Sequence, residues 1–233
     1  MKSFIYKKRS LLGALILFLI NFEAMPKQKE FVLIGASIGR AWHIQELPKR
    51  KNFPGVKFEY IGVFDTFDKT QAIKKIINRT IKPDVVIIKE CSIFFPGPLE
   101  KFKKLAASWI ETLQQAGIRP VLATIVPVAK PRSISARGRE WIRENVLRRE
   151  SRIEHVLIYN EWVRKFSQDR GLAVLDLEQA VRVSERDRYM RPDVDMGDRI
   201  HLNAQGYMLL DAIMAQFLSR LEILKLLDRH LRV

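Results

Sequence analysis

Apolar positions along the chain fall into two alternating kinds of segment. Short runs rich in Val and Ile, with no polar alternation, occupy residues 31–36, 56–63, 84–89, 119–126 and 172–176. Runs of this kind are typical of strands covered on both faces, and therefore of a parallel sheet. Helical patterns lie between the runs at about 69–80, 99–116 and 138–170, and a last one extends from about 204 to 228. The alternation predicts an α/β protein, a three-layer α/β/α sandwich built around about five parallel strands.

The carboxyl ends of the predicted strands carry the residues of chemical interest, because open parallel sheets form their sites beyond those ends. Four features fall there: Ser37 after the first strand, Gly62 at the end of the second, residues 89–92 after the third and residues 127–130 after the fourth. The polar, aperiodic stretch 183–197 predicts a long loop before the last helix. Long loops in compact domains are often functional, so the end of this loop is a further candidate.

The first residues of the chain have the order of an export signal. Basic residues at position 2 and positions 7–9 precede an apolar run over residues 11–20 that is short for a membrane span. We expect residues 1–24 to be a signal peptide or, if they are not cleaved, an N-terminal membrane anchor, and residues 30–233 to form one domain. The protein is then periplasmic or secreted, or tethered to the membrane by the uncleaved segment.

The composition is strongly basic, with 41 Lys and Arg against 26 Asp and Glu and a formal net charge of +15. Such a balance favours nucleic acid, anionic lipid or anionic glycan as a partner. Export makes nucleic acid the least expected of these, so we expect an anionic membrane or glycan surface and no nucleic acid. The single cysteine, Cys91, excludes an internal disulfide. No spacing of cysteines and histidines suggests a metal, and no phosphate-binding loop occurs, so we expect no metal and no cofactor.

The end of the long loop, DMGDRIHLNAQGY, brings Asp198 and His201 together just before the last helix. A serine nucleophile needs an imidazole to take its proton and a carboxylate to orient that imidazole and stabilise its charged form. Asn203 is typical of an N-cap and would fix the loop to the helix. Ser37, Asp198 and His201 are therefore candidate catalytic residues. Taken alone, Asp198 and His201 are equally consistent with a structural ion pair or cap.

The segments IGASIG and DRIHLNAQGY resemble the first and last motif blocks of the SGNH or GDSL-type hydrolases, and the resemblance extends over about residues 31–216. It implies a flavodoxin-like sandwich of five parallel strands and activity on ester bonds. It implies that Ser37 attacks the acyl carbonyl, that His201 is the general base and that Asp198 orients His201. It also implies an oxyanion hole formed by the backbone N–H groups of Ser37 and Gly62.

Two positions depart from the motifs of that family. Ala36 stands where the family usually has Asp, and KECSIFFPG stands where a Gly-x-Asn-Asp block usually supplies a third oxyanion donor. Glu90 as a carboxylate cannot donate and Cys91 is a weak donor, so Ser92 or a backbone N–H is the available substitute. We therefore treat Glu90, Cys91 and Ser92 as candidate pocket residues. Loss of one oxyanion donor typically lowers the rate by a factor of about 10² to 10³.

Two functions are consistent with these residues. The first is an exported serine esterase or acyl hydrolase that forms an acyl-enzyme on Ser37 and acts on an acyl ester of a small molecule, glycan or lipid. Transfer of the acyl group to a sugar hydroxyl instead of water stays open. The alternative is a catalytically weak or inactive envelope protein of the same fold that binds anionic glycan or lipid. The altered third block and the basic surface favour the alternative, whereas the first function requires Ser37, His201 and Asp198 to form a hydrogen-bonded series.

Overall fold

Five parallel strands form one sheet in residues 28–142, 146 and 150–230, which are the residues that the structure, a computed structural model, describes. The predicted signal or anchor segment, residues 1–24, lies outside them. The strands are β1 (Lys29–Gly35), β2 (Val56–Gly62), β3 (Val85–Lys89), β4 (Arg119–Ala123) and β5 (Val174–Leu175). Their order across the sheet is β2-β1-β3-β4-β5, and every neighbouring pair is parallel. This arrangement confirms the predicted parallel sheet.

Helices connect the strands on both faces of the sheet. They are α1 (Ser37–Ala41), α2 (Leu47–Arg50), α3 (Thr70–Ile77), α4 (Leu99–Gln115), α5 (Ile134–Trp141), α6 (Arg152–Asp169), α7 (Leu177–Val181) and α8 (Ala204–His230), with 3₁₀ turns at Ile44–Glu46 and Ser92–Phe94. The hydrophobic pattern predicted α3, α4 and α8 to within a few residues. It did not predict α1, α2 and α7, because helices this short do not complete enough turns to show a period.

The prediction of a single helix over residues 138–170 is wrong. α5 ends at Trp141, and α6 begins only at Arg152, after Ser151 with its extended backbone (φ −77°, ψ 129°). The charged residues keep a helical spacing across this interval, so their pattern does not indicate the break.

The fourth strand is also shorter than predicted and ends at Ala123. Two residues later, the backbone N–H of Ile125 donates to Oδ1 of Asn160 at 2.7 Å, and its carbonyl accepts from Nδ2 of the same side chain at 2.9 Å. The chain therefore leaves the sheet because a side chain of α6 replaces the neighbouring strand as its hydrogen-bonding partner.

Two buried apolar clusters cover the two faces of the sheet. One packs α1, α2, α7 and α8 against side chains that include Leu33 and Ile87, and the other packs α3, α4 and α6 against side chains that include Val32 and Val86. Successive residues of a strand point to opposite faces, so each central strand contributes to both clusters. This is the three-layer α/β/α sandwich expected from the sequence, and all strands have their carboxyl ends at one edge.

Two classes of feature are absent from the described residues. Within residues 28–142 and 150–230, no helix is both long enough and apolar enough to cross a membrane. In the same ranges, no group of three or more His, Cys, Asp or Glu side chains is arranged to hold a metal ion. Export and the lack of a cofactor stay predictions from the sequence.

Candidate active site

Ser37 is the first residue of α1 and follows the end of β1 after a single intervening residue. The Tyr60 hydroxyl of β2 lies beneath this turn, 2.8 Å from the carbonyl oxygen of Ala36 and 3.1 Å from that of Gly35. The Tyr60 ring also fills the space beside Gly39, where an added Cβ would lie 2.9 Å from Cε2 of the ring. Burial raises the pKa of Tyr60 to about 12, so the hydroxyl keeps the proton that it donates. Ser37 is therefore presented by a braced strand-to-helix turn.

Asp198 and His201 lie in one tight turn before α8. Oδ1 of Asp198 accepts hydrogen bonds from the backbone N–H groups of Ile200 (2.9 Å) and His201 (2.8 Å), and Oδ2 lies 2.5 Å from Nδ1 of the His201 ring. Partial burial raises the pKa of Asp198, but the hydrogen bonds from His201 and Ile200 outweigh this effect and lower the pKa to about 2. The ionised carboxylate orients the ring with Nδ1–H donated to it, which leaves Nε2 as the acceptor of the neutral imidazole.

Nε2 of His201 lies 2.9 Å from Oγ of Ser37. The three side chains therefore form one hydrogen-bonded series, from hydroxyl to imidazole to carboxylate, which is the arrangement that a catalytic role would require. The distance is within the reach that a general base needs to take the hydroxyl proton. The imidazole is 34% exposed and the Asp198 side chain 48% exposed, so a reactant can approach the series from solvent.

Asn203 fixes the loop that carries His201 to the start of α8. Its Oδ1 accepts from the N–H of Gly206 at 3.1 Å, which confirms the N-cap predicted from the sequence. Its Nδ2 donates to the carbonyl of Asp193 at 2.8 Å. The same side chain therefore satisfies the helix terminus and holds the loop.

Asp211 of α8 connects the helix behind His201 to the helices behind Ser37. Asp211 is 5% exposed, and its carboxylate accepts from Nε1–H of Trp42 at 2.8 Å and from Nε–H and Nη2–H of Arg50 at 2.8 Å each. Trp42 directly follows α1 and Arg50 ends α2. This buried, hydrogen-bonded ion pair sets the position of α8 relative to α1.

A cavity of about 780 Å³ opens beside Ser37 and His201, within the size range of ligand pockets. Phe64 and Met196 contribute exposed apolar side chains to its wall. Arg40 also lines it and forms no ion pair with any residue that the structure describes. The cavity can therefore hold an apolar acyl group next to the Ser37 hydroxyl, with a cation one helical turn away. We call it the Ser37 cavity.

The two predicted oxyanion donors differ in their surroundings. The N–H of Ser37 lies in the first turn of α1, where N–H groups have no acceptor within the helix. Gly62 ends β2 opposite Gly35, and the N–H of the next residue, Val63, donates to the Gly35 carbonyl at 2.8 Å. Because successive N–H groups of a strand point to opposite sides, the N–H of Gly62 faces away from β1. Its role as an oxyanion donor stays a prediction.

Glu90, Cys91 and Ser92 do not form part of the Ser37 cavity, contrary to the expectation from the sequence. All three are buried, with exposures of 2%, 4% and 2%. Oε2 of Glu90 lies 2.5 Å from Nζ of Lys69, which is itself 1% exposed and precedes α3. Burial raises the pKa of Glu90 in spite of this neighbouring cation. The segment after β3 is thus directed into the layer of α3 and α4, where it forms an ion pair.

The fold is similar to that of solved structures described as lipases and esterases. A GDSL-like lipase from Bacteroides thetaiotaomicron is 16% identical, with a TM-score of 0.61 over 90% of this chain and 97% of its own. An acetylxylan esterase from Geobacillus stearothermophilus is 15% identical, with a TM-score of 0.60 over 83% of this chain and 96% of its own. The sequence matches no protein-family model, and no curated protein is significantly similar to it. The structural likeness confirms the fold that the motif resemblance implied.

Tyr60 and Asp211 were not identified from the sequence. Tyr60 stands in an apolar strand, where an aromatic residue is ordinary core. Asp211 is one acidic residue in a long amphipathic helix, and its partners Trp42 and Arg50 are more than 160 positions away. No local pattern marks either residue, because both act through contacts between distant segments.

Proposed function

We propose, on the premise of this SGNH hydrolase fold, that the protein is a serine esterase that forms an acyl-enzyme on Ser37. The observation that carries the proposal is the hydrogen-bonded series from Ser37 Oγ through the His201 ring to Asp198, placed at an open cavity. A surface histidine or a structural ion pair would not require a serine hydroxyl 2.9 Å from the free ring nitrogen.

The reaction follows from the direction of these hydrogen bonds. As Oγ of Ser37 attacks the acyl carbon, Nε2 of His201 takes the hydroxyl proton, and Asp198 stabilises the resulting imidazolium. The bond between the acyl carbon and the alcohol oxygen then breaks, and the proton passes from Nε2 to the leaving alcohol. Water repeats the sequence on the acyl-enzyme, which releases the acid and restores the Ser37 hydroxyl. A sugar hydroxyl in place of that water would give acyl transfer.

The developing oxyanion is stabilised by the backbone N–H of Ser37, with the N–H of Gly62 as the second predicted donor. The buried side chains after β3 supply no third donor. We expect a lower rate than a site with three donors would give, by a factor of about 10² for each donor that is missing.

The substrate class is proposed from the wall of the Ser37 cavity and from the names of similar proteins. Phe64 and Met196 favour an apolar acyl group. A lipase and an acetylxylan esterase are among the structures that the chain resembles, so short acyl esters on a glycan or a lipid are the compounds to test first. The amino-terminal sequence pattern supports an exported location.

Turnover of 4-nitrophenyl acetate and 4-nitrophenyl butyrate by the purified full-length protein tests this function. Ser37→Ala and His201→Ala should each lower kcat/KM by a factor of at least about 10³. Ser219→Ala is a matched control, because that exposed hydroxyl donates to the carbonyl of Ala215 within α8, and it should leave kcat/KM unchanged. A wild-type protein that hydrolyses neither ester, or a Ser37→Ala variant that retains activity, would support the non-catalytic alternative.

A further inference from the structure

A second cavity, of about 480 Å³, adjoins the loop that carries Asp198 and His201. Asp195 lines this cavity, and the next residue, Met196, lines the Ser37 cavity. The rest of its wall comes from the segment after β4, from α5 and from the loop around Tyr189. We call it the basic cavity, because its described lining holds three basic side chains, Lys130, Arg132 and Arg137, and one carboxylate, Asp195.

Arg132 is held at the wall of the basic cavity by a buried carboxylate. Its Nη2 donates to Oδ2 of Asp195 at 2.9 Å, and the Asp195 side chain is 0% exposed whereas that of Arg132 is 61% exposed. Oδ1 of Asp195 accepts from the N–H groups of Gly197 (2.9 Å) and Arg199 (3.0 Å). The bond from Nη2 therefore fixes the orientation of the guanidinium group. Its Nε and Nη1 donors form no bond to any residue between 28 and 142 or between 150 and 230.

The other two cations are also held at defined positions. Nζ of Lys130 lies 2.6 Å from Oδ2 of Asp187 and 5.1 Å from the centre of the Tyr189 ring. Nε of Arg137 donates to the carbonyl of Pro131 at 3.3 Å, and Arg137 forms no ion pair with a carboxylate in the described part of the chain. Nη2 of Arg137 donates to the carbonyl of Arg132 at 3.5 Å. Among the described residues the lining keeps an excess of positive charge, and Nη1 of each arginine has no acceptor there, so both guanidinium groups can donate to a carboxylate or sulfate.

Two aromatic side chains complete the wall. Trp141 is 61% exposed although it is large and apolar, and Tyr189 lies beside Lys130. The C–H faces of sugar rings pack on aromatic rings, while their hydroxyl and acidic groups need polar partners at the edge. The aromatic rings of the wall can pack against a sugar ring, and the fixed guanidinium groups can bind its acidic group.

We propose that the basic cavity binds an acidic sugar residue of a glycan, with the carboxylate or sulfate on Arg132 and Arg137 and the ring on Trp141. A lipid bilayer is the competing anionic partner, since Ile134 and Ile142 next to this site are exposed. The concave wall, with Trp141 and Tyr189 beside the guanidinium groups, favours the glycan, because a sugar residue can enter a cavity of about 480 Å³ and a bilayer surface cannot. The proposal concerns binding and holds whether or not Ser37 is catalytic.

Calorimetric titration of the full-length Ser37→Ala protein tests the proposal without interference from turnover. The ligands are trigalacturonate, which is acidic, and galactotriose, which is its neutral counterpart. Trigalacturonate should bind at least about tenfold more tightly than galactotriose, because each charge-assisted hydrogen bond adds that order of affinity. An increase from about 0.05 M to 0.5 M NaCl should weaken this preference.

Three variants in the same background assign the binding to the cavity. Arg137→Gln and Trp141→Ala should each weaken trigalacturonate binding by a factor of about ten, and neither removes the partner of a buried carboxylate. Arg170→Gln is the matched control, an exposed arginine directly after α6 whose Nη1 lies 3.0 Å from Oε1 of Glu111, and it should change nothing. Circular dichroism shows whether each variant is folded.

Either of two results would overturn the proposal. One is equal binding of the acidic and neutral trisaccharides, or trigalacturonate binding that Arg137→Gln and Trp141→Ala leave intact. The other is binding to vesicles of phosphatidylglycerol and phosphatidylcholine that both variants abolish, without any binding of trigalacturonate. That second pattern would assign the surface to lipid.

Discussion

His201 Nε2 lies 2.9 Å from Ser37 Oγ, although 164 positions separate the two residues in sequence. The distance depends on how α8, which follows His201, is seated against α1, which begins with Ser37. Asp211 of α8 provides that connection through Trp42 and Arg50. The proposed chemistry therefore rests on a buried ion pair remote from the reacting atoms.

Removal of this connection should destabilise the protein strongly. Asp211→Ala leaves the buried indole N–H of Trp42 without its acceptor and removes the carboxylate that pairs with Arg50, so we expect a loss of about 3 kcal/mol in the free energy of unfolding. Urea denaturation measures it. Asp169→Ala is the control, since its partner Lys165 is an exposed neighbour on the same helix, and it should cost less than about 0.5 kcal/mol. Equal effects of the two substitutions would contradict the structural role of Asp211.

Tyr60→Phe tests the brace under the Ser37 turn. The variant keeps the ring that packs beside Gly39 but loses the hydroxyl that bonds the carbonyls of Ala36 and Gly35. We expect kcat to fall by a factor of about ten with little change in KM, and the free energy of unfolding to fall by about 1 kcal/mol. Steady-state kinetics and urea denaturation separate the two effects. A loss of stability with no change in kcat would show that the hydroxyl does not position Ser37.

Asp198→Asn should abolish most of the activity while leaving the fold intact. The amide cannot stabilise an imidazolium and favours the wrong ring tautomer, so kcat should fall by a factor of about 10⁴. Kinetics on a short acyl ester measures this loss. A decrease of less than about tenfold would mean that Asp198 serves only as a structural partner of His201.

The pKa of Asp198 also determines the pH range in which its negative charge stabilises the folded protein. A carboxyl group whose pKa is lowered on folding stabilises the native state above its unfolded value, and this stabilisation is lost as the pH falls through the folded value, here about 2. Asp198 should therefore stay ionised across the working range. The difference in unfolding free energy between wild type and Asp198→Asn should therefore decrease as the pH falls from about 4 to about 2. A decrease that is already complete above about pH 4 would contradict the lowered pKa.

The ion pair of Glu90 and Lys69 should behave as a coupled unit. Glu90→Gln leaves the Lys69 ammonium buried without its counter-charge, at a cost of about 3 kcal/mol, and Lys69→Met in the same background should recover part of that loss. A double-mutant cycle by urea denaturation measures the coupling. The surface pair of Glu100, which is 78% exposed, and Lys103, with an N–O distance of 2.7 Å, is the control and should show a coupling under about 1 kcal/mol. Additive effects of Glu90→Gln and Lys69→Met would refute the coupling.

The sequence predicted the sheet, and it identified Ser37, Asp198 and His201 as candidates that the structure places together, because both leave local signals. Continuous apolar runs mark buried parallel strands, and the spacing of Asp198, His201 and Asn203 marks one turn before a helix. Motif resemblance then joined this turn to Ser37. Each of these signals depends on residues that are neighbours in sequence. The contact between Ser37 and His201 is seen only in the structure.

What the sequence did not predict depends on contacts between distant segments. The position of Glu90 at a strand end predicted a pocket residue. Its side chain instead pairs with the buried Lys69 in the layer of α3 and α4. The sequence pattern does not reveal the break between α5 and α6, because charged residues keep a helical spacing across it. Arg132 looked like one of many basic surface residues, and only the buried carboxylate of Asp195 distinguishes it.

The central claim is that Ser37 is a nucleophile activated by His201. Reaction of the purified full-length protein with a fluorophosphonate, followed by mass spectrometry of the peptides, measures it directly. We predict a single phosphonate adduct, on Ser37, whose rate of formation falls by a factor of at least about 10² in His201→Ala and which is absent from Ser37→Ala. No adduct on the folded wild-type protein, or an adduct on another residue that persists in Ser37→Ala, would contradict the claim.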